Sequence, residues 1–279
     1  MKKWLKAIAC LSLAATFLTA CGGASNSSKS GEKVTTVKLG IMGANTDVWD
    51  TVKERIEKNE PIKIQYVKFQ DYNQPNTALN EGSIDLNAFQ HNIFLENFNK
   101  EHKTDIVSIG NTIIEPFGFY SHKIKDVKEL KKGDKIAIPN DVTNGGRALR
   151  LLEKQGLIKV DPKKGIFPTT SDITENKLDL QFVELDAAQV PRSLDDVALA
   201  GINSDIAIDA GINPVKDNLF RETVDENSKP YINIIAARKK DKDNKVYKTI
   251  VKYYQTKETE DAIKKIMKGA QEPAWKEKK

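Results

Sequence analysis

Residues 34–69, VTTVKLGIMGANTDVWDTVKERIEKNEPIKIQYVKF, decide the fold class. The stretch opens on a β-rich run, Val34 to Met42, that ends in a glycine turn at Gly43. Asp47 to Asn59 follows as a helix, with Thr46 or Asp47 as cap and Val48, Val52 and Ile56 recurring every four residues along one face. Ile62 to Phe69 alternates over its first residues and is rich in β-formers, which predicts a strand. The same alternation continues outward: a helix at Asn76 to Glu81, a short strand at Ser83 to Leu86, a helix at His91 to His102. Strand alternating with helix predicts a largely parallel, doubly wound sheet.

A second series begins after Pro116. It predicts a short helix at Asp126 to Leu130, a strand at Lys135 to Ile138, a turn at Pro139-Asn140-Asp141 and a helix from Gly146 to Gln155 closed by Gly156. Strands follow at Gln181 to Leu185 and Ile206 to Ile208, with a short helix at Ala187 to Ser193 between them. Tyr231 to Ala237 is a further strand, and Lys245 to Lys268 carries one or two closing helices. Two α/β units with the last strand returning after the second predict two lobes joined by two crossovers, Glu115–Tyr120 and Ser228–Asn233. Lobe 1 then comprises 34–117 plus 231–279, and lobe 2 comprises 118–230. A cleft between such lobes is a natural place for a small ligand.

The chain has 279 residues, 39% hydrophobic and 30% charged, a balance that excludes a multispanning membrane protein, a collagen and a low-complexity chain. Its formal charge of +5 falls to +2 without Lys2, Lys3 and Lys6, so nothing supports nucleic-acid binding, which needs several phosphates neutralised. Those lysines open residues 1–20, where they precede an apolar run from Ala7 to Ala20 that is shorter than the roughly twenty residues of a membrane span. This reads as a signal peptide. Leu18-Thr19-Ala20-Cys21 resembles the bacterial lipobox, which implies acylation of Cys21 and cleavage after Ala20. Residues 21–33 then form a lipidated flexible tether of Gly, Ser and Lys. Cleavage also removes Cys10, so no intrachain disulfide is possible.

Several ordered blocks resemble the methionine-binding lipoproteins of bacterial ABC importers, the MetQ/NlpA family. They are Phe89-Gln90-His91 after SIDLNA, Ile138-Pro139-Asn140-Asp141, Thr143-Asn144-Gly145-Gly146-Arg147-Ala148-Leu149, Ala188-Gln189, Pro191-Arg192-Ser193-Leu194-Asp195-Asp196-Val197 and Gly201-Ile202-Asn203. The similarity runs from about Val37 to Trp275. It implies a two-lobed, type II periplasmic-binding-protein-like fold that closes on L-methionine, D-methionine or a methionine-containing dipeptide. The implied partners are a permease with its ATPase, and the membrane through Cys21. The implied place is the extracytoplasmic face of the bacterial cell membrane, and the implied state is a monomer with no cofactor. The alternative on the same fold is a surface lipoprotein acting mainly as an adhesin or interaction protein.

Methionine presents a carboxylate, an ammonium and a polarizable thioether. A buried carboxylate needs a matched cation, and Arg147, read as lying in the first turn of a helix after Asn144-Gly145-Gly146, offers a planar guanidinium with two parallel N–H bonds. The glycines and the helix dipole would favour an anion there, and Asn144 could cap the helix or touch the ligand. Neutral amide oxygens suit the ammonium, and the resemblance nominates Asn203 and Asn233. The thioether favours aromatic walls, for which Phe89, His91 and, by the resemblance, Tyr72 are nominated.

Other chemistries find no pattern. Three histidines, His91, His102 and His122, without HxxxH or CxxC spacing give no metal site. No GxSxG elbow, phosphate loop or dinucleotide loop is present, and the adjacent acids Asp195-Asp196 point apart, as on a solvated surface. The expectation is a binding protein and not an enzyme.

Overall fold

The computed structural model describes residues 33–275. The signal segment, Cys21 and all of the tether but Lys33 lie outside the described residues. Among those described, no helix is long and apolar enough to cross a membrane.

The chain begins with β1 (Thr35–Met42), α1 (Asp47–Asn59) and β2 (Ile62–Phe69). Strands β1 and β2 pair in parallel with Val37 opposite Ile64, and α1 buries Val48, Val52 and Ile56. Gly40 allows a close approach, since a Cβ there would stand 2.5 Å from the Ile84 side chain. Next come α2 (Gln74–Glu81), β3 (Leu86–Asn87), α3 (Asn92–His102) and β4 (Ile106–Ile114). The chain then crosses to a second sheet through β5 (Gly118–Tyr120) and β6 (Lys135–Pro139). Helix α4 (Val142–Lys154), the small pair β7 (Lys159–Val160) and β8 (Ile173–Glu175), β9 (Gln181–Leu185) and β10 (Leu199–Ile202) follow. After α5 (Ser204–Asp209) and β11 (Asn218–Arg221) the chain returns as β12 (Ile232–Arg238) and ends in α6 (Lys245–Tyr254), α7 (Lys257–Met267) and β13 (Glu272–Pro273).

Two mixed sheets result. One has six strands in the order β13-β4-β12-β3-β1-β2, the other five in the order β11-β5-β10-β6-β9. Each has its own core. Val37, Leu39, Val52, Ile56, Ile64 and Ile235 pack in the first, and Ile136, Ile138, Leu149, Leu152 and Leu199 in the second. The architecture is two-lobed α/β.

Three readings need correction. The sheets are not largely parallel: β12 runs antiparallel to both β3 and β4, and β5 is antiparallel to β10 and β11. Ile206 to Ile208 is not a strand but the middle of α5, whose apolar Ile206 and Ala207 face inward, while the strand lies earlier, at β10. Helix α4 starts at Val142 and not at Gly146, because Asp141 caps it by accepting from the Thr143 and Asn144 backbone N–H groups. Arg147 therefore lies in the second turn, away from the exposed amides of the helix end. The glycines before it serve packing: a Cβ on Gly145 would stand 2.7 Å from the Pro139 carbonyl oxygen, and one on Gly146 2.8 Å from that of Ile166.

Candidate functional site

A cavity lies where the two sheets face each other. The loop after β2 contributes Tyr72, and the turn between β3 and α3 contributes Phe89, Gln90 and His91. Helix α4 contributes Asn144 and Arg147, and the β10–α5 turn Asn203, Ser204 and Asp205. The segments joining the sheets add Glu115 and Tyr231, and the start of β12 adds Asn233. All seven residues singled out from the sequence thus surround one cavity. Phe94, Glu115, Asp205 and Tyr231 were not foreseen.

One end of the cavity is aromatic. Tyr72, Phe89 and Phe94 form a triangle with centroids 5.8–5.9 Å apart, and His91 stands edge-on to Tyr231 at 5.4 Å. Phe89 and His91 are held in register from behind. The Gln90 carboxamide is buried in a ring of amides, donating to Asn76 Oδ1 at 2.6 Å and Asn87 Oδ1 at 3.0 Å and accepting from Asn76 Nδ2 at 2.7 Å. Such a network is stable only when every member is satisfied.

The polar side is a chain with a definite direction. Asp141 accepts from Asn144 Nδ2 at 3.0 Å, which leaves Asn144 Oδ1 as an acceptor. That oxygen receives Asn203 Nδ2 at 2.9 Å and lies 3.2 Å from His91 Nε2. His91 Nδ1 accepts from the Phe94 backbone N–H at 3.1 Å, so the ring proton sits on Nε2 and points at Asn144. Burial, reinforced by the Arg147 charge, pushes the His91 pKa down to about 3, and the ring is neutral. With its amide nitrogen committed, Asn203 presents Oδ1 buried and without a partner among the described residues. An orphaned buried acceptor costs free energy until a donor arrives.

Charge is concentrated on four groups, Arg147, Glu222, Glu115 and Asp205. Arg147 is 4% exposed and donates from Nε and Nη2 to Glu222, and from Nη2 to the Glu115 carbonyl at 2.7 Å, with its guanidinium 4.3 Å above the Tyr231 ring. Burial alone would lower its pKa, but Glu222 reverses that and raises it. The two parallel N–H bonds expected for a ligand are therefore already taken, and Nη1 alone is left without a hydrogen bond among the described residues. The Glu115 carboxylate accepts from Gln271 at 2.7 Å and Asn233 at 2.9 Å, yet burial and the nearby Asp205 push its pKa up to about 8. Asp205 accepts the Tyr72 hydroxyl at 2.7 Å, and burial raises its pKa as well. The arrangement offers one cationic donor, several anionic or neutral acceptors and an apolar ring-lined pocket between them.

Signals for the missed residues existed. Glu115 is an acid inside the apolar run Ile113-Ile114-Glu115-Pro116-Phe117, and Phe94 lies one helical turn from His91. Asp205 looked like an ordinary acid at a helix start.

A model of the NlpA lipoprotein family matches residues 37–275. The D-methionine-binding lipoprotein MetQ of Yersinia pestis is 42% identical over 242 residues, 86% of this chain and 88% of its own length. A nutrient-binding protein from Burkholderia cenocepacia, solved bound to methionine, is 42% identical with a TM-score of 0.81, covering 85% of this chain and 99% of its own. The substrate-binding protein of a methionine transporter from Streptococcus pneumoniae is 37% identical with a TM-score of 0.81, over 86% of this chain and 96% of its own.

Proposed function

The chain belongs to the NlpA lipoprotein family, and from that premise we propose that it captures methionine outside the cytoplasm and delivers it to an ABC importer, tethered to the membrane through lipid on Cys21. The observation that carries this reading is a buried guanidinium and a half-buried carboxylate facing one ring-lined cavity that also holds an orphaned amide oxygen. That set complements a zwitterion with an apolar tail. Arg147 Nη1 takes the ligand carboxylate. Asn203 Oδ1, the Asn233 carboxamide and Glu115 take the ammonium, and Glu115 is the charged member that the neutral-amide expectation lacked. Tyr72, Phe89, His91, Phe94 and Tyr231 surround the thioether, whose sulfur–ring contacts are each worth about 0.3–1.5 kcal/mol. Asn144 orients His91 and Asn203 without needing to touch the ligand.

Residues 34–117 with 231–279 form one lobe in this reading and 118–230 the other, and they close on the ligand. Contacts that bridge the cavity support closure: the Tyr72 hydroxyl donates to Asp205, and His91 donates to Asn144. A thermal-shift series over the common amino acids, D-methionine and Gly-Met tests the function. Ligand at one hundred times its Kd stabilises by about 2.7 kcal/mol, so a methionine species should raise Tm by several degrees while unrelated amino acids leave it unmoved. No shift with any methionine species at millimolar concentration would overturn the reading.

A further inference from the structure

Glu222 has no task in ligand binding as set out above, yet it holds the residue on which that binding depends. It follows β11, where the chain leaves the five-stranded sheet. Its backbone N–H donates to the Phe117 carbonyl at 2.9 Å, and its Oε2 accepts from the Phe117 N–H at 2.9 Å, so it is stitched to the first crossover through main chain and side chain alike. Its carboxylate accepts from Arg147 Nε at 2.9 and 3.1 Å and from Nη2 at 2.5 Å. The two side chains are 5% and 22% exposed, and the outer side of Glu222 borders a groove shared with Arg150 and Tyr231.

A guanidinium carries five N–H groups. Nε supplies one to Glu222, and Nη2 supplies its pair to Glu222 and the Glu115 carbonyl. Two N–H groups on Nη1 remain. A carboxylate entering the cavity therefore meets a cation that is already paired, on a single nitrogen, with a second carboxylate close behind it. Without Glu222 the same ligand would provide the first neutralisation of a desolvated charge, and more of the guanidinium than Nη1 would be open to it.

We propose that Glu222 is a resident counter-ion that competes with the ligand for Arg147 and so sets how readily the ligand is released. The empty site stays stable because its buried cation is never unpaired, and the filled site remains reversible because the ligand adds to an existing pair. The inference rests on the reading that Arg147 receives the ligand carboxylate.

The test is Glu222→Gln, which keeps the shape and removes the charge, measured by calorimetry with methionine and with methioninamide, which lacks the carboxylate. Methionine dissociation is followed by stopped flow. Electrostatics between close charged groups in a desolvated site predicts about tenfold tighter methionine binding with slower release. Methioninamide, a cation, should bind no more tightly than to the unaltered protein. Weaker methionine binding with unchanged methioninamide binding would overturn the proposal and make Glu222 a group that merely orients Arg147. Equal weakening of both would overturn it in favour of a structural role. Should Glu222→Gln fail to fold, Glu222→Asp draws the carboxylate back by one methylene and must shift methionine binding in the same direction by a smaller factor; weaker binding overturns the proposal there too. If the unaltered protein binds neither compound, the assignment of the cavity itself fails, and the proposal falls with it.

Discussion

At the scale of single residues the site is a problem in ionisation. Glu115 carries the sharpest consequence, because burial and Asp205 push its pKa up to about 8 against the hydrogen bonds from Gln271 and Asn233 and the Arg147 charge. Between the ordinary carboxylate range and about pH 8 the empty folded protein keeps a proton that the unfolded chain has released. This group's contribution therefore makes the empty protein less stable as pH rises through that window. An ammonium ligand favours the charged carboxylate, so binding expels the proton, and methionine affinity should rise between pH 6 and 8 by up to about tenfold per unit. Calorimetry at three pH values in buffers of different protonation enthalpy reads this directly, and Glu115→Gln should flatten the slope. The side chains best legible in the sequence were those in conspicuous settings: Arg147 beside two glycines, Asn233 in an apolar strand, Phe89 and His91 in a block that resembles the family. Glu115 and Asp205 escaped because an acid's burial is decided by what the chain brings from a distance, such as Gln271, which lies 156 positions from Glu115.

At the scale of elements, α4 shows how local chemistry positions the site. Asp141 accepts from two backbone N–H groups, from the Thr143 hydroxyl at 2.6 Å and from the Asn144 side chain, so one carboxylate both starts the helix and aims an amide. Asp141→Ala should cost about 1–2 kcal/mol of stability, as loss of a good cap does. It should also weaken methionine binding by freeing Asn144 and with it Asn203. Urea unfolding and calorimetry on the same variant measure both effects. Helix α1, with its regular apolar stripe, was legible to the residue at Asp47–Asn59. Strands β4, β5, β10 and β11 were not read. Gly110-Asn111 breaks the pattern of β4, and β5 and β10 are short runs buried on both faces, with no alternation to mark them.

At the scale of the whole molecule, the two halves meet again outside the cavity. Asp209 at the end of α5 accepts from the backbone N–H groups of Ala44 and Asn45 at 3.1 and 3.3 Å, in the turn that Gly43 forms at φ +63°. A side chain on Gly43 would collide with that carboxylate. Because these bonds are exposed, Asp209→Ala should speed methionine release about threefold to tenfold with little change in the Tm of the empty protein. Stopped-flow kinetics and solution scattering of the empty and filled forms check this. The sheet order carries a consequence for how the chain is made. Residues 232–238 fill the slot between β3 and β4, which are translated far earlier. As the chain is made those two strands must wait, edges bare and prone to stray pairing, until nearly the whole polypeptide has emerged to seal the gap.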